Sequence, residues 1–162
     1  MADRKLAPIL NATDPDLSKF AARGGKLILY HGWADQGVQP LTTVDYYQRV
    51  HDTIGQKATA DSVRLFMVPG MLHCLGGPGP NSFGQFAAGA GDPSTKIGAA
   101  LQHWVEEGVA PERIIATKRK NDEDLTSEVI RTRPLCAFPN VAHYRGAGST
   151  DDAASFDCAP PP

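Results

Sequence analysis

Two short apolar runs on either side of a segment with helical periodicity constrain this chain more than any other feature. Lys26-Leu-Ile-Leu-Tyr30 follows the breaker Gly24-Gly25, and a continuous apolar run of this length reads as a strand buried on both faces. Val63 to Val68 forms a second such run and stops at Pro69-Gly70. Between them Leu41, Val44, Tyr47, Val50 and Ile54 recur at helical spacing and are closed off by Gly55, which predicts a helix over 41–54. Strand, helix, strand in 27–68 is a βαβ unit, whose strands run parallel through a right-handed crossover. Both strands must then end on the same edge of the sheet.

The flanking sequence extends this α/β pattern. Asp14-Pro15-Asp16 offers a helix start, with Pro in the first turn and acidic charge at the positive helix end, for a short helix over 15–22. Ile97, Leu101, Trp104 and Val105 mark a helix over 95–107 stopped by Gly108, and Ile114 to Lys118 and Val129 to Thr132 read as two strands around a charged turn. Met71 to Pro93 is rich in Gly and Pro, and so long an aperiodic loop is usually functional or mobile. From Pro134 the chain reads as an irregular tail, ending in Ala-Pro-Pro-Pro, which should fray.

Length and charge narrow the functional classes. A chain of 162 residues is long enough for one domain. A net charge of -2 gives no electrostatic reason to expect nucleic-acid binding. The longest apolar runs are too short to cross a bilayer. Met-Ala-Asp-Arg-Lys at the start is not the apolar stretch of a signal peptide, so the chain is either cytoplasmic or exported by a signal outside it. Three cysteines, Cys74, Cys136 and Cys158, leave one free or paired elsewhere, although cysteine also packs as a small buried apolar group.

In open parallel sheets, catalytic groups gather at the carboxyl ends of the strands. His31-Gly-Trp-Ala-Asp35 leaves the first strand there, and Pro69-Gly-Met-Leu-His73-Cys74 leaves the second. Neighbouring strands lie about 4.8 Å apart, so Asp35 and His73 can meet. A carboxylate on one imidazole nitrogen fixes the tautomer and frees the other nitrogen to take a proton from a hydroxyl. Taken singly, an Asp in a Gly-rich turn commonly caps its own backbone, and a lone His is commonly a surface or core residue. The joint placement is more specific and matches the order Ser, acid, His along α/β hydrolases. No serine fits the nucleophile elbow: Ser82 in Pro80-Asn-Ser-Phe-Gly84 lacks the first Gly and a preceding strand, and Ser149 sits in the tail. His31, His51, His73, His103 and His143 show no metal-ligand spacing, so neither a metal nor another cofactor is expected.

Gly24 to Asp35, Tyr46-Tyr47, Phe66-Met-Val-Pro-Gly-Met-Leu-His-Cys74 and Arg133-Pro-Leu-Cys136 together resemble the tannase and feruloyl esterase family, from about Asp16 to Cys158. The resemblance implies one partial domain over 1–162, the C-terminal part of an α/β-hydrolase fold, with parallel strands, flanking helices and an incomplete sheet. Asp35 would be the triad acid and His73 the general base. Cys74 would pair with a cysteine outside the chain, next to the nucleophile, and Cys136 with Cys158, pinning the tail over 134–162. Such disulfides imply a secreted or periplasmic protein.

The serine elbow, oxyanion-hole donors and lid of that family are missing from these residues. Their source would be an N-terminal portion of the same polypeptide. The isolated chain should be inactive, because losing a serine nucleophile costs roughly 10^6-fold in turnover. The implied substrate is an ester of an aromatic acid, a gallate or ferulate, with Trp33 and the loop Gly76 to Gly84 bordering its pocket; simple packing is the competing role for Trp33. A parent that hydrolyses mono-(2-hydroxyethyl) terephthalate would share these motifs. A non-catalytic binding module is the alternative from another class, with a homodimer covering the exposed edge of the first strand.

Overall fold

The computed structural model describes residues 2–86 and 91–162 of the chain. The βαβ unit is present: β1 (Leu27–Gly32) and β2 (Val63–Val68) are parallel, with Leu27 opposite Val63 and Gly32 opposite Val68. Two helices make the crossover. Helix α3 (Pro40–Ile54) ends at Gly55, whose φ of 83° turns the chain directly into α4 (Gln56–Ser62). The sequence reading took Gly55 as a stop and expected no second helix, because a positive-φ glycine ends one helix whether or not another follows. Two further helices precede β1, α1 (Ala2–Leu10) and α2 (Ser18–Ala22). Helix α1 was not expected, since Pro8 interrupts a short pattern that a helix would need.

Strand β2 is the buried centre. Phe66 and Val68 point into a core with Met71, Phe83, Ile97, Ile114 and Leu135, and Leu65 and Met67 point into a second cluster with Val44 on the opposite face. Alternation with period two sends successive side chains to opposite faces, so a strand apolar at every position is covered on both. Each fully buried aliphatic or aromatic side chain contributes about 1.5–3 kcal/mol relative to exposure. Strand β1 is only half-buried. Ile28 and Tyr30 pack on the first cluster and Leu29 on the second, while among the described residues no strand lies along its far edge.

The rest of the chain closes over β2 from the other side. Helix α5 (Ile97–Glu107) buries Ile97, Ala100 and Trp104. An antiparallel pair follows, β3 (Arg113–Arg119) with β4 (Val129–Cys136). Pro134 stands opposite Ile115, whose N–H donates to the Ser94 carbonyl at 2.7 Å. That is a non-hydrogen-bonded position, where proline removes no ladder bond. Just past β4 the chain joins β2, with an Ala137–Phe66 bridge and the Phe138 N–H donating to the Leu65 carbonyl at 2.8 Å.

The stretch from Pro134, expected to be irregular, needs correction. It finishes β4 and then forms an antiparallel pair, β5 (Val141–Tyr144) with β6 (Phe156–Ala159). Strands of four residues separated by a long polar connection carry too few apolar positions to show a period. Tertiary bonds hold them instead: the Cys136–Cys158 disulfide, the paired Arg145–Asp157 contacts and the Arg133 guanidinium stacked 3.8 Å from the Phe156 ring.

Candidate active site

The site begins with a close approach of two backbones. A Cβ at Gly32 would come within 2.2 Å of the Met71 carbonyl oxygen, so only glycine lets the loop leaving β2 cross the end of β1. Backbone bonds then lock the two loops together. Trp33 N–H donates to the Val68 carbonyl at 2.9 Å and Ala34 N–H to the Met71 carbonyl at 3.0 Å. Asp35 and His73 are thereby carried to one point.

There the Asp35 Oδ2 lies 2.8 Å from His73 Nδ1. The other oxygen, Oδ1, accepts the N–H groups of Gly37 at 2.7 Å and Val38 at 2.9 Å. Backbone capping and the histidine contact are therefore not alternatives: each uses a different oxygen of one carboxylate. The Val38 N–H first, then the His73 and Gly37 hydrogen bonds, hold the Asp35 carboxyl well below the usual carboxylate range, against the opposing effect of burial. An ionised carboxylate only accepts hydrogen bonds, so His73 Nδ1 carries the proton that it shares with Asp35. The Asp35 side chain is 3% exposed and that of His73 is 62% exposed. Among the described residues His73 Nε2 has no hydrogen-bond partner.

A hollow of about 110 Å³ opens beside the pair, bordered by Tyr30, Val38, Met71 and Cys74. Cys74 is exposed and unpaired, and its φ of 66° is the one positive value at a non-glycine among the described residues.

One residue of this cluster was missed by the sequence reading. His31 Nε2 lies 3.1 Å from the same Asp35 Oδ2, and its Nδ1 lies 2.6 Å from Thr43 Oγ1. A histidine on the last inward position of a strand, four residues before the acid, was the available signal. Metal-ligand spacing, the one test applied to His31 in the sequence, does not reveal a histidine that bonds a carboxylate.

Other candidates go elsewhere. Trp33, expected at the substrate pocket, is 43% exposed and borders a separate cavity of about 80 Å³ against Pro69, Pro134 and Phe138. The loop 76–84 lines another hollow of about 290 Å³ with Phe86 and Leu125. Ser82 is joined to Thr117 through backbone hydrogen bonds and Ser149 Oγ accepts the Asp151 N–H, and neither hydroxyl is hydrogen-bonded to His73. His51, His103 and His143 are paired with Asp52, Glu107 and the Pro160 carbonyl.

Comparison with known proteins bears on the family and the fold. The sequence model described as tannase and feruloyl esterase matches residues 1–159. An uncharacterized esterase of Xanthomonas campestris pv. campestris is 44% identical, aligned with 100% of this chain and 31% of its own length. Mono(2-hydroxyethyl) terephthalate hydrolase of Piscinibacter sakaiensis is 42% identical over 93% of this chain and 22% of its own length. The crystal structure of an esterase from Aspergillus oryzae superposes with a TM-score of 0.86 at 33% identity, covering 96% of this chain and 32% of that one. The chain thus spans about a third or less of the proteins it matches. Its fold is of the α/β-hydrolase type, and with a family match running over nearly all of its residues the chain belongs to the tannase and feruloyl esterase family.

Proposed function

We propose that the chain is the C-terminal portion of a secreted or periplasmic serine carboxylic ester hydrolase acting on esters of aromatic acids. Asp35 is its triad acid and His73 its general base. The nucleophilic serine, oxyanion-hole donors and lid come from an N-terminal portion of the same polypeptide, and Cys74 is disulfide-bonded to a cysteine there. The observation that carries this reading is the 2.8 Å contact of Asp35 Oδ2 with His73 Nδ1, which leaves Nε2 unpartnered on an exposed ring.

The chemistry follows from that contact. His73 Nε2 accepts the serine proton as the hydroxyl attacks the ester carbonyl, and the resulting imidazolium is stabilised by the Asp35 charge. The same nitrogen returns the proton to the leaving alkoxide. The Cys136–Cys158 disulfide supports an oxidising compartment.

Assay of the chain with and without the upstream portion, on methyl ferulate and methyl gallate, tests the reading. Turnover is expected only with both parts present, and turnover by the chain alone would end the proposal. The 42% identity to a mono(2-hydroxyethyl) terephthalate hydrolase favours a second substrate reading, in which that ester is cleaved with the higher kcat/KM by the same pair.

A further inference from the structure

Asp35 Oδ2 receives two imidazoles, not one. His73 stands on an exposed loop, whereas the His31 side chain is 11% exposed, on β1, with both ring nitrogens engaged. Because Asp35 is an ionised acceptor, His31 Nε2 must carry a proton to bond it. Nδ1 then either accepts from the Thr43 hydroxyl or, if protonated as well, donates to it. The neutral ring, donating from Nε2 to Asp35 and accepting the Thr43 O–H at Nδ1, meets both partners with a single ring proton. Which ring nitrogen holds the proton is set by the bond at the other.

We propose that His31 is a positioning residue for the Asp35–His73 pair: Thr43 holds it as the neutral Nε2–H tautomer, and that N–H anchors the carboxylate oxygen that receives His73. The terminal torsion of an aspartate is broad and two-fold. Gly37 and Val38 restrain Oδ1, and His31 restrains Oδ2. The exposed His73 ring then aligns against a fixed acceptor. The catalytic consequence rests on the esterase reading above; the tautomer does not.

Nitrogen-15 NMR of histidine-labelled protein tests the tautomer directly, in the 162-residue chain and again with the upstream portion supplied. At neutral pH His31 is expected to carry its proton on Nε2 alone, and Thr43→Val is expected to yield mixed tautomers. A proton on His31 Nδ1 in the unsubstituted protein, or a tautomer indifferent to Thr43→Val, would overturn the proposal. In the assembled enzyme His31→Phe should lower kcat about tenfold or more with KM unchanged, the scale on which outer hydrogen-bond partners act. His31→Gln, whose side-chain amide can donate to Asp35, should recover most of that loss. Equal damage from both substitutions, or none from either, would count against the positioning role. If the unsubstituted assembly has no esterase activity, the function reading fails and the NMR result alone decides the role of His31.

Discussion

At Asp35 the two carboxylate oxygens have different partners, and this division lets one turn residue close its own turn and still hold an imidazole, as the proposed triad role requires. Oδ1 closes the backbone turn through Gly37 and Val38, leaving Oδ2 free for imidazole. Asp35→Asn in the assembled enzyme should therefore keep the turn but present the wrong group to His73, lowering kcat by about 10^4-fold, as loss of the triad acid does elsewhere. Stopped assays of kcat at constant fold, checked by circular dichroism, would show it. The depressed Asp35 carboxyl also makes a stability prediction. Its folded-state value lies below the unfolded one, near 3.9, so its stabilising contribution is present above that pH and is lost as pH falls toward the folded value. Urea midpoints should show the wild type losing stability relative to Asp35→Asn below about pH 4, with a constant difference at higher pH. A difference independent of pH across that range would contradict the assignment.

The loop ends and the tail are decided at the level of elements. Gly32 ends β1 where the Met71 carbonyl crosses it. Gly32→Ala is expected to destabilise by about 1–3 kcal/mol, as overpacking does, and to displace the loop that carries His73; urea denaturation together with the His73 ring signals would report both effects. In the tail, the Cys136–Cys158 disulfide spans a sequence separation of 22, and closing a loop of that length contributes about 3 kcal/mol in the chain-entropy model. Replacing both cysteines by serine should lower the unfolding free energy by that amount, with β5 and β6 losing amide protection first. The strands β1 and β2 were legible as continuous apolar runs, and the helices α3 and α5 from the helical spacing of their apolar residues. The strands β5 and β6 were not, because four-residue strands held by a disulfide and ion pairs carry no periodic apolar signal.

For the whole molecule, the unequal burial of the two parallel strands sets the expectation. Strand β2 is covered on both faces and bridged along its outer edge, whereas β1 is half-buried and has no neighbour on its far side among the described residues. An unpaired apolar edge strand is a template for further pairing. Hydrogen exchange should find the outward amides of β1 fast in the chain alone and slow once the upstream portion is supplied; equal rates in both states would show that the edge is covered by something else. The sequence alone determined the βαβ unit, the adjacency of the loops carrying Asp35 and His73, and the family, because strand period, crossover handedness and local motifs are properties of consecutive residues. The tertiary structure decided the role division at Asp35, the arrival of His31 and Thr43 beside it, the departure of Trp33 to another cavity and the order of the tail. Each of these depends on side-chain direction and on contacts between distant segments, which no local pattern encodes.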